Sequence, residues 1–267
     1  MTDRRKELRD EFIENRGFWN EFWDGLLDLD PDFFKAYLDF SSVPWKSGPL
    51  DPKVKELIYI AVDSAATHLY EPGMRQHMKK ALELGATSAE IMEVLELTAT
   101  LGIHACNIGV PILVEELEAA GQPLDRTLDD RRKRSQAEFE RRRGYWHPFW
   151  DEMLLLDPDF FDSYTAFSGV PWETGTLEPK VKELIYTAFD VAATHLYVKG
   201  LRLHIRKALE YGASREEVLE VIELASVIGI HSCTVGVPIL LEEVAAAGTR
   251  SGERVAAGDR APDPSTP

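Results

Sequence analysis

The sequence predicts an all-α protein made of two related helical bundles in tandem. Three observations carry that prediction: an internal repeat, helix-start signals at matching places in both copies, and no alternating run long enough to demand a strand. DRRK at 3–6 returns at 130–133 and VPIL at 110–113 returns at 237–240, a constant shift of 127. Between Arg16 and Gly121 roughly three positions in five recur identically without an insertion, a regularity foreign to short solenoid repeats. The first copy therefore spans 1–121, the linker QPLDRTL 122–128, and the second copy 129–248. Residues 249–267 are rich in Gly, Pro, Ser and charge, and a disordered tail is expected there.

In chain order, each copy begins with a charged segment followed by an aromatic one. MTDRRKELRDEF has no apolar run, so neither a signal peptide nor an anchor is expected, and no later segment is expected to span a membrane. Gly17-Phe18-Trp19 with Phe22-Trp23, and Gly144-Tyr145-Trp146 with Phe149-Trp150, are anchors for packing or for a subunit contact. Asp30-Pro31 and Asp157-Pro158 pair an N-cap with proline at the first helical position, opening DFFKAYLDF and DFFDSYTAF. The stretches VPWKSGPL and VPWETGTL read as loops that offer Trp45 and Trp172 as pocket walls. Asp51-Pro52 then starts a helix through KVKELIYIAVDSAATHLY, with Glu178-Pro179 as the weaker signal in the second copy. Thr87-Ser88-Ala89-Glu90 and Ser214-Arg215-Glu216-Glu217 fit the capping box ahead of the next helices. Gly102, Gly109 and Pro111 should bend or break the last helix of the copy.

Composition narrows the function. A chain of 267 residues that is 44% hydrophobic has apolar material for one large domain or two ordinary ones. A formal charge of -16 disfavours nucleic acid and anionic membrane surfaces, leaving small molecules and other proteins as partners. Cys106 and Cys233 build neither a disulfide framework nor a zinc knuckle, and a cytoplasmic location is expected.

The helix from Pro52 is the most informative element. At 100° per residue, Glu56, Tyr59, Asp63, Thr67 and Tyr70 share about a quarter of its circumference, beside an apolar stripe of Leu57, Ile58, Ala61 and Ala65. The second copy keeps the polar stripe as Glu183, Tyr186, Asp190, Thr194 and Tyr197. Such a stripe is either a solvated face or a site; Lys53 and Lys55 already supply a wet edge. His68 and His77, repeated as His195 and His204, straddle Gly73 and Gly200, where a turn can fold one histidine back toward the other. Pairs so placed shuttle protons or bind a metal with a carboxylate, or are ordinary hydrogen-bonded corner residues. His104 and His231 follow, two residues before the cysteines, which read as buried small hydrophobes.

The runs KELIYIAVDSAATHLYEPGMRQHMKKALELGATSAEIMEV and KELIYTAFDVAATHLYVKGLRLHIRKALEYGASREEVLEV resemble the carboxymuconolactone decarboxylase and AhpD-like alkylhydroperoxidase superfamily. The shared pattern is a Glu-Leu-Ile helix, a later histidine, then Gly-Ala-Thr or Gly-Ala-Ser before a glutamate. The resemblance implies two tandem AhpD-like helical bundle domains, assembled as a homo-oligomer, with a trimer favoured because two fused domains then imitate a ring of six. It places the family glutamate at Glu56 and Glu183 and the family histidine at His77 and His204. Peroxidase members carry a CxxC between these positions, where this chain has His68 and Glu71, so peroxide reduction through a disulfide has no carrier.

What the resemblance then implies is a lyase or isomerase of aromatic compound catabolism, working without cofactor by acid-base chemistry on a small carboxylated lactone or related catabolite. Glu56, His68, His77, Glu183, His195 and His204 would be its catalytic residues; Tyr59, Trp45, His104, Tyr186, Trp172 and His231 would line the substrate. The alternative is a divalent metal site, a zinc, iron or manganese ion on Glu56, His68, His77 and His104 and another on Glu183, His195, His204 and His231. A non-catalytic oligomer binding a small molecule is a third reading.

Overall fold

The computed structural model describes residues 3–258, with side chains to 247. Its helices in order are α1 (Asp3–Arg16), α2 (Phe22–Leu29), α3 (Pro31–Ser47), α4 (Pro52–Ser64), α5 (Glu71–Glu83), α6 (Ser88–Ala99) and α7 (His104–Ala119) in the first copy. The second copy supplies α8 (Asp130–Arg143), α9 (Asp151–Leu156), α10 (Pro158–Glu173), α11 (Pro179–Val191), α12 (Val198–Glu210), α13 (Arg215–Ser226) and α14 (His231–Gly258). No strand occurs among the described residues, as the sequence predicts.

The helix starts follow their local chemistry. Asp30 accepts from Phe33 N at 2.9 Å and Asp51 from Lys53 N at 2.8 Å, so the Asp-Pro pairs do cap α3 and α4. Glu178 makes no side-chain cap, which is why it is the weaker signal. Both capping boxes close: Thr87 with Glu90, and Ser214 with Glu217. The bend expected near Gly102 is a 3₁₀ turn, Thr100–Ile103, matched by Val227–Ile230.

Three sequence expectations need correcting. Trp45 and Trp172 are not in loops but in the last turns of α3 and α10, each directly after a proline, Pro44 or Pro171, that the helix contains. Helix α4 stops at Ser64 rather than Tyr70; His68 N and Leu69 N turn back to Ala65 O, Tyr70 N to Asp63 O, and Leu69 takes a left-handed φ of 50°. Gly73 is therefore not the turn, which lies before it; it stands in the first turn of α5. By length and composition, 88–119 and 215–247 are long and apolar enough to cross a membrane. Each is interrupted by its 3₁₀ turn, and Ile91, Val94, Leu97, Val221 and Leu224 along them are core residues.

Packing divides the chain into two compact units, one of residues 1–47 and 227–267, the other of 48–226. In the first, Phe12, Trp23, Leu27 and Phe34 of α1–α3 pack with Ile230, Cys233 and Val237 of the second copy. Helix α14 continues to Gly258, so the expected tail is helical up to that point; 259–267 lie outside the described residues. In the larger unit, α4 packs on α11 and α13, and α11 on α6, around Leu57, Ile60, Val94, Leu97, Ile185 and Phe189. There the aromatic residues of α8–α10, Phe139, Trp150 and Phe161, pack with Ile103, Cys106 and Val110 of the first copy. The aromatic anchors are thus core residues, and each unit's core draws on both sequence copies.

Candidate active site

Every residue of α4 from Lys55 to Asp63 is buried, so Glu56, Tyr59 and Asp63 of the polar stripe face protein, while Thr67, beyond the end of the helix, is exposed. Lys55 is no wet edge: its ammonium pairs with Glu220 at 2.7 Å, and the equivalent Lys182 pairs with Glu93 at 2.8 Å. The turn after α4 lays α5 back on it, and this brings Glu56 together with His77, and Glu183 with His204. His77 Nδ1 donates to Glu56 Oε2 at 2.6 Å, and His204 Nδ1 to Glu183 Oε2 at 2.6 Å. Tyr59 stacks on His77 with centroids 4.5 Å apart, and Tyr186 on His204 at 4.4 Å. Each dyad is buried, with an imidazole held between a carboxylate and a phenol face.

A second carboxyl, about two turns along the helix, stands behind each dyad. Asp63 lies 4.0 Å from His77 Nε2 and 3.9 Å from His68 Nε2. Burial pushes its carboxyl up to about 7, with the His77 charge opposing and Glu56 adding. Asp190 is held well above the usual carboxylate range by burial, then by Glu183. Gly73 and Gly200 make room for these carboxyls: a Cβ at either position would collide with Asp63 Oδ2 or Asp190 Oδ2. That packing need, not a turn, accounts for the glycines.

His104 departs most from expectation. It does not join the first-copy histidines; the 3₁₀ turn delivers it into the second-copy site, where Nδ1 is hydrogen-bonded to His195 Nε2 at 2.6 Å and lies 3.7 Å from Asp190 Oδ1. Its ring stacks on Tyr197 at 3.9 Å. Burial, with the nearby charges of His195 and His204, lowers its pKa to about 3, so it is neutral at physiological pH. Burial also lowers His68 and His195 and raises Tyr197 to about 12. His231 opens α14 and is half-buried in the smaller unit.

Of the expected walls, Trp172 donates from Nε1 to Tyr186 OH at 3.5 Å and lies parallel to that ring. Trp45, in the smaller unit, lies under Arg16 at 5.0 Å. Three residues were missed as site candidates. Asp63 and Asp190 stand in the duplicated polar stripe, which is the signal that could have found them. Arg143 has no such signal; its buried guanidinium lies 5.4 Å from the rings of both Trp172 and Tyr186, with Nε and Nη1 lacking hydrogen-bond partners. Cys106 and Cys233 are half-buried members of separate cores.

The two glutamate-histidine dyads lie inside the segments that match a known family. Residues 31–105 and 158–232 each match the model of the Carboxymuconolactone decarboxylase family. The chain belongs to the carboxymuconolactone decarboxylase family. A crystal structure from Burkholderia xenovorans, of a protein carrying the provisional name gamma-carboxymuconolactone decarboxylase subunit, is 50% identical, covering 91% of this chain and 98% of that one with a TM-score of 0.88. Among curated proteins none matches. The Glu56–His77 and Glu183–His204 pairs stand at equivalent places in the two matched segments, and His104, Asp190 and His195 lie within those segments as well.

Proposed function

We propose that the protein is a decarboxylase acting by acid-base chemistry on a small carboxylated lactone or a related catabolite. The observation that carries this reading is the buried hydrogen bond between His204 Nδ1 and Glu183 Oε2, duplicated as His77 and Glu56. A carboxylate that accepts from Nδ1 fixes the ring's orientation, leaving Nε2 as the atom that moves a proton. In the reaction, the bond between the ring carbon and its carboxylate breaks and carbon dioxide leaves. The electron pair enters the conjugated carbonyl system; His204 Nε2, having first taken up a proton from water while Nδ1–H stays on Glu183, passes that proton to the carbanion and returns to its neutral form. Arg143 supplies a buried positive charge beside Tyr186, suited to an anionic substrate.

Replacing Glu56 and Glu183 together by Gln keeps the shape and removes the negative acceptor. Turnover, followed as carbon dioxide release from a carboxylated lactone, should fall by about 10²–10⁴. Unchanged turnover in the folded double variant rules the reading out.

The same reading includes a homo-oligomer, with a trimer favoured. It is supported by exposed Ile108, Ile112 and Leu113 on α7, and by the word subunit in the name of the Burkholderia relative. Sedimentation velocity should return the mass of three chains; a monomer at micromolar concentration contradicts it.

A further inference from the structure

We propose that His104, Asp190 and His195 form a binding site for a divalent first-row transition-metal ion of the zinc or iron(II) class. Two imidazole nitrogens and a carboxylate oxygen lie within 4.8 Å of one another, and all three residues belong to the larger unit. Two histidines with one carboxylate are a donor set that suits such ions, unlike the all-oxygen shells of calcium and magnesium.

The strongest sign is the carboxyl. Asp190 is 0% exposed, yet neither of its carboxyl oxygens has a hydrogen-bond partner. Native proteins rarely leave a buried carboxyl without donors, and a cation in front of it removes the defect. The histidines point at the same place: His104 Nδ1 lies 2.6 Å from His195 Nε2 and 3.7 Å from Asp190 Oδ1. Metal–nitrogen bonds of about 2.0–2.1 Å require the two nitrogens to part to roughly 3 Å. His195 is half-buried on the turn before α12, so a small rotation of its ring accomplishes this and leaves an opening to solvent.

The surroundings hold the donors in position. His104 is clamped face to face on Tyr197, and Gly200 admits the Asp190 carboxyl where any side chain would displace it. Leu196, with a left-handed φ of 52°, fixes the turn that carries His195. Glu183 and His204 are not ligands in this arrangement, being joined to each other by their own hydrogen bond. The proposal goes beyond the decarboxylase reading and does not depend on it: a bound ion beside the dyad would polarise a substrate carbonyl, but its binding is measured without substrate.

The test uses the full chain, stripped with EDTA and titrated with zinc by calorimetry and with cobalt(II) by visible absorption. Zinc should bind with a Kd below about 1 μM, and cobalt should give ligand-field bands from an imidazole-containing shell. Asp190→Asn and His104→Ala, each checked for folding by circular dichroism, should lose one equivalent of zinc or bind it at least ~100-fold more weakly. Wild-type stoichiometry and affinity in both folded variants overturns the proposal, as does a parent chain that takes up no zinc at about 100 μM. If neither variant folds, X-ray absorption of the zinc-loaded parent decides: two imidazole nitrogens with a carboxylate oxygen support the site, and sulfur or oxygen-only ligands refute it. Glu183→Gln should keep the metal whatever happens to turnover, which separates this result from that of the decarboxylase assay.

Discussion

Asp63 is a residue whose environment is at odds with its chemistry. Its carboxyl, ordinarily near 3.8, is pushed up to about 7 by burial. A raised carboxyl favours the fold below the ordinary carboxylate range, and that contribution is lost as pH rises through about 7. Relative to the parent, Asp63→Asn should therefore gain stability between about pH 4 and pH 8, by at most about 4 kcal/mol, since each tenfold change in a protonation equilibrium is worth about 1.4 kcal/mol. Urea unfolding at both pH values in chelating buffer checks this, and a pH-independent difference contradicts it. The residue type and its periodicity were legible in the sequence; its burial was not. A stripe of Glu, Tyr and Asp has the same pattern whether it meets water or another helix, and only the packing of α5 on α4 shows that it meets protein.

The helix starts were the most legible elements, because a cap is decided by three or four adjacent residues. The helix ends at the site were not, since the left-handed turn at Leu69 and Leu196 has no glycine to announce it. Nor were the two buried ion pairs, Lys55–Glu220 and Lys182–Glu93, which tie α4 to α13 and α11 to α6. Glu93 also accepts from Thr176 N at 2.6 Å and Leu177 N at 2.9 Å, capping the approach to α11. Glu93→Ala strands the Lys182 ammonium, so it should cost about 3–5 kcal/mol in urea unfolding. The double change Glu93→Met with Lys182→Met should recover much of that loss, because it removes the buried charges together. A single variant within about 1 kcal/mol of the parent would mean that the pair is solvated in solution.

At the scale of the molecule, the copies read from sequence and the compact units are different partitions of one chain. The core of Phe139, Trp150 and Phe161 needs Ile103, Cys106 and Val110, and the second-copy site needs His104, all from the first copy. A chain cut to 129–248 should therefore expose that core. It should show a non-cooperative thermal transition by circular dichroism and bind a hydrophobic dye, whereas a cooperative, dye-free fragment would show that the copy is self-sufficient. The sequence by itself determined that the protein is helical and duplicated, which rests on caps, periodicity and an internal repeat, and its resemblance to a known family implied which Glu and His could form the dyads. Those signals are local. Only the tertiary structure decided that Glu56, Tyr59 and Asp63 of the polar stripe are buried, that the glycines make room for Asp63 and Asp190, and that His104 serves the other copy's site. Each of these depends on contacts between residues far apart in the chain, and no local pattern encodes which distant surface a helix will meet.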